Sequence, residues 1–404
     1  MHCHCTRSHK RLLAQRSTPS RKLPCSRYGR SLLYSTSSTA GASQGAAQRE
    51  VDGARAYCIN LIQKYDSPSY TLHTFIPPSA LDAYFAIRAF NIELSLIPDT
   101  VSNPTIGAMR MQFWRDAIRS SFAGTPRKEP IVILLAHALS DLADRTGRRT
   151  TLSQHWFQRV ISAREKQLHN SPYPTLESLE SYAENTYSTL LYLTLSALPL
   201  TSLTTDHLAS HIGKAAGITA VLRGLPLIAF PAPPPHHSNT SGLGGSLPSS
   251  SRQGAVTLPL DVMATAGVQE EAVLREAGTA PGLRDAVFTV ATRANDHLIT
   301  AREMLRNVRA GQDIDHAFEH AGDEGHQYHE DDHHGEGSAS ARPESNSPKA
   351  EVDRGFGVLM PVVSTSLWLQ RLQKVDFDVF DPRLRKREWR LPWSAYWAFR
   401  RKTI

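Results

Sequence analysis

Apolar residues recur three and four positions apart along most of this chain, which is the spacing that places side chains on one face of an α-helix. Two such faces are formed by Ile106, Met109, Phe113 and Ala117 and by Leu283, Val287, Val290, Ala291 and Ala294. No alternating stretch or Asn-Gly turn competes with this period. The pattern predicts an all-α bundle with helices near 52–65, 79–96, 105–122, 130–144, 153–168, 176–198, 206–223, 260–276, 281–308 and 358–374.

Two helix starts carry residues that suit the N-cap, whose side chain accepts a hydrogen bond from a free backbone amide of the first turn. Ser79 stands at the start of one predicted helix, with Asp82 three residues on. Thr175 precedes another and is followed by Glu177 and Ser178. Further along, Pro226 is expected to end or kink the helix near 206–223, because proline lacks the backbone N–H.

Two stretches interrupt the helical pattern. Residues 230–254 are rich in Pro, Gly and Ser, which is typical of a flexible surface loop. Residues 320–351 are acidic and histidine-rich, without the apolar side chains that would fix metal-ligand geometry, so we expect a solvated loop there. The expected organisation is one helical domain over 50–381 with these two insertions.

The net charge of +7 comes from the first 49 residues, which contain nine Lys or Arg and no acid. Their end is rich in Ser, Thr and small residues, so residues 1–49 are typical of a mitochondrial transit peptide, the alternative being a basic arm without a targeting role. Three of the four cysteines lie in this segment. The remaining one, Cys58, sits in an apolar helical stretch, where we expect it to be buried.

The segment 382–404 also has an unusual composition, with eight Lys or Arg against one acid and three of the six tryptophans. Pro392 suits the first turn of a helix. A helix of this kind suits an anionic membrane surface or a partner, whereas the alternatives are aromatic packing on the bundle or RNA binding. No nucleic acid is expected. The candidate surface is formed by Trp389, Trp393, Tyr396, Trp397, Arg400 and Arg401.

The order of segments resembles the squalene/phytoene synthase superfamily, all-α enzymes that join two allylic diphosphates head to head. The resemblance is carried by "LDAYFAIRAFNIELS" (81–95), "HIGKAAGITAVLRGLPLI" (211–228) and "VTLPLDVMATAGV" (256–268). Longer motifs, among them "IGAMRMQFWRDAI" and "YAENTYSTLLYLTL", resemble its mitochondrial complex I assembly factor 6 branch. The resemblance implies an isoprenoid-synthase-like helical bundle around a central cavity.

In the superfamily, aspartates on two facing helices hold Mg²⁺, which neutralises the leaving diphosphate. On the first helix a pair of aspartates four residues apart shares one face, and the matching positions here are Asn91 and Ser95. On the second helix the three acidic positions are Gly224, Leu227 and Ile228. The resemblance therefore implies degenerate metal positions, and we expect no metal, no cofactor and no catalytic residue.

Other polar residues leave a ligand pocket or a remodelled site open. Glu93 is turned roughly 200° round the helix from Asn91 and is expected to point elsewhere. Glu180 and Glu184 form an acidic pair four residues apart, which is the best remaining metal candidate or else an exposed helix face. The candidate anion or ligand pocket consists of Arg88, Arg223, Tyr182, Glu180 and Glu184.

The resemblance implies a non-catalytic mitochondrial protein that assists biogenesis of respiratory complex I. Its implied partners are complex I subunits or assembly intermediates, and its implied location is the matrix, peripheral on the inner membrane. The alternative is a protein that binds prenyl or lipid diphosphates, or a remodelled prenyl transferase. The discriminating feature is whether Glu180 and Glu184 face Arg88 and Arg223 across the cavity.

Overall fold

The computed structural model describes residues 38–101, 103–200, 202–231, 254–311 and 347–404. The described residues form helices and turns without a strand, which confirms the all-α prediction. Most of the predicted transit segment and of both predicted insertions, 230–254 and 320–351, lies outside the described residues. Residues 47–404 form one compact unit.

Fifteen α-helices are present in the described ranges. They are α1 (Ser38–Tyr65), α2 (Ser67–Leu72), α3 (Leu81–Thr100), α4 (Pro104–Phe122), α5 (Pro130–Thr146), α6 (Gln154–Lys166), α7 (Leu176–Ala183), α8 (Thr189–Ser196), α9 (Leu203–Ala229), α10 (Leu260–Ala266), α11 (Glu270–Glu276), α12 (Leu283–Arg309), α13 (Pro348–Gly355), α14 (Pro361–Lys374) and α15 (Leu391–Arg401). The predicted helix at 260–276 is two helices, because Gly267 adopts a left-handed conformation and ends α10.

Helix α9 lies at the centre of the bundle, packed against α7, α8, α12 and α14, while α3 packs against α5 and α8. By length and composition α9 is the one described helix that is apolar enough to span a membrane. Its apolar window is 56% buried inside the bundle. A helix at the centre of a bundle is apolar on all sides, like a membrane-spanning helix, because neighbouring helices cover it on every side.

A single π-helical turn, Glu184–Ser188, joins α7 to α8 and lies directly against α9. The contact depends on Gly213, where an added Cβ would come within 2.3 Å of the Ser188 Cα atom. Gly217 faces Ala183 in the same way, at 2.5 Å between the added Cβ and the alanine Cβ. The two glycines therefore allow the backbones of α9 and the π-turn to approach closely.

Four local predictions have mixed outcomes. Thr175 caps α7 through a reciprocal pair of hydrogen bonds with Ser178, as predicted. The prediction for Ser79 is wrong, because a 3₁₀ turn precedes α3 and the helix starts without a side-chain cap. Helix α9 runs through Pro226 to Ala229, so this proline does not end the helix. Cys58 is fully buried, as expected.

Helix α4 forms as predicted, but of the apolar side Ile106, Met109, Phe113 and Ala117 it buries only Ala117. Met111, Trp114 and Ile118 are buried, whereas Met109 is 67% exposed and Ile106 is 45% exposed. Apolar residues occur on several sides of α4, so helical spacing alone does not identify the side that packs against α5 and α6. The predicted face of α12 is buried throughout, because polar residues cover its other side.

Candidate functional site

A cavity of about 140 Å³ lies between α3, α6, the π-turn and α9. It contains three of the five degenerate motif positions, Ser95, Gly224 and Ile228, together with Tyr182 from the predicted pocket. The bundle therefore keeps a central cavity where the resemblance places an active site. Its polar lining is formed by Ser95, Asp99, Arg164, Gln167, Asn170, Tyr173, Tyr182, Tyr187 and Thr257.

The guanidinium of Arg164, on α6, enters this cavity. One of its terminal nitrogens donates to the amide oxygen of Asn91 at 2.7 Å, and the other donates to the hydroxyl of Tyr182 at 2.7 Å. The cation also lies 5.6 Å and 5.7 Å from the ring centroids of Tyr182 and Tyr187. The Arg164 guanidinium thus contacts Asn91, the position that the resemblance matches to the first metal-binding aspartate.

The cavity is an apolar and aromatic environment for that charge. The Nε atom of Arg164 is buried without a hydrogen-bond partner in the described structure, and so is the hydroxyl of Thr257. The rings of Tyr173 and Tyr182 lie 5.4 Å apart, and burial raises the pKa of both phenols. Both tyrosines are therefore neutral donors near neutral pH, and neither supplies an anionic metal ligand.

The residues present do not fit Mg²⁺, which requires several oxygen ligands that include carboxylates. The amide oxygen of Asn91 already accepts from Arg164, and the Ser95 hydroxyl donates to the Ile92 carbonyl at 2.8 Å. Gly224 and Ile228 contribute no oxygen from their side chains, and Leu227 is 69% exposed. Within the described ranges no group of three or more His, Cys, Asp or Glu side chains is arranged to hold a metal ion.

Asp99 is the one carboxylate among the described cavity residues. It lies four residues after Ser95 on α3, and therefore one helical turn beyond the second motif position. The charge of Asp99 is opposite to that of Arg164, so the cavity holds one acid and one base. A single carboxylate beside a fixed cation is a poor site for a divalent metal.

The two predicted anion-binding arginines lie outside the cavity lining. Arg88 is 8% exposed, donates to the hydroxyl of Ser69 and lies 3.8 Å from the Asp66 carboxylate. It therefore joins α3 to α2. Arg223 is exposed on α9, with its guanidinium 5.4 Å from the ring centroid of Trp368.

Glu180 and Glu184 are also turned away from the cavity. Glu180 accepts from Arg293 and lies 3.1 Å from the Nε2 atom of His297, both on α12. Burial raises its pKa, but the hydrogen bonds from His297 and Arg293 outweigh burial and lower the pKa to about 2. Glu184 is buried and accepts from the hydroxyls of Tyr192 and Ser210, at 2.6 Å and 2.8 Å.

The structure thus does not bring the five pocket residues together. Glu180 and Glu184 do not face Arg88 and Arg223 across the cavity, which was the feature expected of a remodelled transferase. Glu180 of α7 turns toward Arg293 and His297 of α12, and Glu184 of the π-turn binds Ser210 of α9 and Tyr192 of α8. Glu93 points outward as predicted, and its carboxylate accepts from the Tyr57 hydroxyl at 3.1 Å.

The C-terminal candidate surface is only partly packed on the bundle. Leu391 and Ala395 are buried, and the Phe399 ring lies 5.0 Å from that of Phe75. The predicted aromatic residues remain accessible, with exposures of 75% for Trp389, 68% for Trp393, 47% for Tyr396 and 49% for Trp397. Arg400 and Arg401 are exposed next to them.

These features together define a protein of the isoprenoid-synthase-like class. A solved dehydrosqualene synthase in complex with ligand superposes with a TM-score of 0.59 at 13% identity, covering 88% of this chain and 99% of that chain. The family model described as squalene/phytoene synthase matches residues 62–228 and 246–321. At this identity the solved structure is similar in fold.

Relatives similar over nearly the whole chain carry one name. The Mus musculus protein named NADH dehydrogenase (ubiquinone) complex I, assembly factor 6, is 33% identical over 346 residues, 86% of this chain and 82% of its own length. The Homo sapiens protein of the same name is 31% identical, over 87% of this chain and 83% of its own. The chain belongs to the squalene/phytoene synthase family, in the complex I assembly factor 6 branch.

Proposed function

We propose that this chain is a non-catalytic mitochondrial protein that assists assembly of respiratory complex I. The observation that carries the proposal is the similarity over 86% of the chain to a protein named for that role. A helical bundle with an altered cavity is compatible with such a role, because assembly depends on surfaces that bind partners. Its proposed partners are complex I subunits or assembly intermediates.

The cavity supports the non-catalytic part of the proposal. Ionising an allylic diphosphate needs metal ions to neutralise the leaving group. Asn91, Ser95, Gly224, Leu227 and Ile228 supply no carboxylate at the motif positions. Arg164 is already bonded to the first of these positions, so a metal ion approaching it would meet a fixed positive charge.

Two regions support a place in the matrix, peripheral on the inner membrane. Residues 1–49 have the basic, acid-free composition of a transit peptide. The exposed aromatic and basic residues of segment 382–404 suit the interface of an anionic membrane, where aromatic rings lie at headgroup level. Targeting by residues 1–49 and membrane contact by segment 382–404 are predictions that experiment can test.

Loss of the gene tests the proposed function directly. We expect mitochondria from cells without the gene to contain less complex I on a blue-native gel and to respire poorly on NADH-linked substrates, while complexes II to IV are unchanged. Re-expression of the wild-type chain should restore both. Unchanged complex I abundance and respiration after gene loss would contradict the proposal.

A second candidate, ligand binding without turnover, is favoured by one observation in the cavity. The Nε atom of Arg164 and the hydroxyl of Thr257 are both buried without partners, and a small anion entering the cavity would satisfy such donors. The cavity volume of about 140 Å³ is below the roughly 300–1,000 Å³ typical of small-molecule sites, which disfavours a prenyl chain.

Diphosphate and farnesyl diphosphate are suitable probes for this second candidate. Saturable binding by calorimetry that is lost in Arg164→Met would support a ligand role. Release of diphosphate from farnesyl diphosphate, dependent on Mg²⁺, would instead support a remodelled transferase. We expect no release of diphosphate by the wild-type chain, because the motif positions supply no carboxylate for Mg²⁺.

A further inference from the structure

Two open pockets adjoin at the C-terminal end of the chain, far in sequence from the degenerate motifs. One, of about 300 Å³, lies between α12, α14 and α15, and includes Arg302, Arg390 and Arg401. The other, of about 310 Å³, shares Arg302 and Arg401 and adds further basic residues of α12. The two pockets meet at these shared arginines and form what we name the C-terminal groove.

The C-terminal groove is strongly cationic. No Asp or Glu side chain lines either pocket in the described part of the chain, and the basic side chains of the groove form no ion pair with a side-chain carboxylate there. From these basic residues the Glu388 carboxylate accepts only the backbone N–H of Arg390, at 3.0 Å. The basic residues of the groove are Arg302, Arg306, Arg309, Arg390, Arg401 and Lys402. Among the described residues these six cations repel one another and outnumber the carboxylate of Ile404, which also lines both pockets, so an anion in the groove would be stabilised.

The contacts of these cations leave their charge unneutralised. Arg302 donates to the hydroxyl of Ser366 at 3.0 Å, and Arg309 donates to the Arg401 carbonyl at 2.6 Å. The Lys402 ammonium lies 3.9 Å from the ring centroid of Phe399. These three partners are neutral. The Lys402 ammonium also donates to the Asp353 carbonyl at 3.1 Å and is attracted by the Asp353 carboxylate, yet burial lowers the pKa of both Arg302 and Lys402.

Apolar side chains form part of the groove wall, next to the uncharged polar residues Ser366, Gln370, Ser394 and Thr403. Val362, Val363 and Leu367 of α14 lie on one side, and Trp397 and Ala398 of α15 lie on the other. A small soluble anion needs no such wall, whereas a lipid has acyl chains next to its phosphate. The combination of guanidinium groups with an apolar wall therefore fits a phospholipid better than free phosphate.

Helix α15 places the groove beside the exposed aromatic residues. Residues 394, 397, 398 and 401 fall on the side that faces the groove. Trp393, Tyr396 and Arg400 fall on the neighbouring side, and Leu391 and Ala395 form the buried side. If the aromatic side lies at the membrane interface, the groove opens at the level of the lipid phosphates.

We propose that the C-terminal groove binds the phosphate headgroup of an anionic phospholipid, with room in its two pockets for a lipid that carries two phosphates. Arg302, Arg390 and Arg401 would bind the phosphate oxygens, and Trp397 would contact the upper acyl chain. The inference rests on the proposed peripheral membrane location and gives that location a specific binding site.

Vesicle flotation of the full chain tests this proposal. The vesicles contain phosphatidylcholine alone or with cardiolipin, a lipid with two phosphates. The groove variant is Arg302→Gln with Arg390→Gln. Its matched control is Arg385→Gln with Arg387→Gln, which removes the same charge from exposed residues of the same segment that do not line the groove. Equal thermal unfolding midpoints would show that both variants are folded.

We expect the wild-type chain to bind cardiolipin vesicles, and the groove variant to bind them about tenfold or more weakly. The control variant should still bind at least about tenfold more tightly than the groove variant, because it changes only the diffuse field, which is worth about fivefold for each basic residue near the surface. Equal losses in the two variants would overturn the proposal in favour of diffuse attraction. Displacement of the chain from the vesicles by inorganic phosphate, added at the same concentration as the lipid phosphate, would overturn the proposal in favour of a site for free anions.

Complementation separates this proposal from the proposed function. A groove variant that binds vesicles as the wild type does overturns the lipid site, even where the chain restores complex I. Failure of the wild-type chain to restore complex I contradicts the assembly role and leaves the vesicle result standing. The two measurements share no readout, so each can fail alone.

Discussion

The guanidinium of Arg164 donates a hydrogen bond to the amide oxygen of Asn91, with 2.7 Å between the nitrogen and the oxygen. Asn91 stands at the first position that the family resemblance assigns to a metal-binding aspartate. Where the resemblance would place an anion that attracts a free metal ion, this chain has a neutral acceptor bound to a fixed cation. Restoring a single acid would not restore metal binding, because the fixed cation remains.

The substitution Asn91→Asp tests this relationship. We expect it to raise the free energy of unfolding at pH 7 by about 1 kcal/mol, because the bond to Arg164 becomes charge-assisted. We also expect no saturable Mg²⁺ binding by calorimetry. The control is Asn185→Asp, which also makes an arginine acceptor anionic away from the cavity, but loses the amide hydrogen bonds to Ser181 and should therefore gain less. Stoichiometric Mg²⁺ binding by the Asn91 variant would contradict the account.

The substitution Glu180→Gln should lower stability at neutral pH. The pKa of Glu180 is about 2 in the folded state, against a model-peptide value of 4.5, so the carboxylate stabilises the fold fully above pH 4.5. The loss at pH 7 should be about 2–3 kcal/mol. Urea unfolding at several pH values should show the difference from wild type shrinking as pH falls from 4.5 toward 2. A difference independent of pH would refute this assignment.

The substitution Asp206→Asn should raise stability above neutral pH, which is opposite to the effect expected for Glu180→Gln. Burial, followed by repulsion from Glu351, raises the pKa of Asp206 from 3.8 to about 6. The folded state then holds the proton more tightly, so stability is lost as pH rises from 3.8 through 6. We expect the variant to be more stable by about 1–2 kcal/mol at pH 8 and equal to wild type below pH 4. A destabilised variant at pH 8 would show that the carboxylate has a favourable partner.

Alanine should have opposite effects on stability at two glycines of α9, Gly213 and Gly224. Gly213→Ala should destabilise the protein by about 1–3 kcal/mol, because the new Cβ would press on the Ser188 backbone. Gly224→Ala should stabilise it by about 0.5–1 kcal/mol, because its Cβ would meet only Ile228 Cδ1 at 3.9 Å and alanine favours a helix. Thermal unfolding of both variants would measure this contrast, and equal effects would contradict the close packing of α9 on the π-turn.

Sequence patterns predicted the helices well because an amphipathic period and a capping residue are local signals. Thr175 and the apolar side of α12 are examples. The helix α4 was predicted correctly, but apolar residues occur around much of it, and only the packing of α5 and α6 selects Met111 and Trp114 for burial. Local sequence thus predicts that a helix forms more reliably than it predicts which side is buried.

The composition of the cavity depended on tertiary contacts. Arg164 lies 73 residues from Asn91, in a helix whose sequence shows no motif, so nothing local marked it as a cavity residue. Glu180 and Glu184 have the spacing of a metal pair, yet the two acids bind partners on other helices. Periodicity places a side chain on a helix face, but the neighbouring helices determine what that face contacts.

The most direct test of the central claim, that this chain assists assembly without using its cavity, is rescue by a cavity-filling variant. Gly224 lines the cavity, and a Cβ added there would meet only the Ile228 Cδ1 atom at 3.9 Å. The substitution Gly224→Leu should therefore fill the cavity and leave the surface unchanged. We predict that complex I on a blue-native gel of gene-deleted cells recovers as fully with this variant as with wild type. A variant that is stable and equally abundant but restores no complex I would contradict the claim.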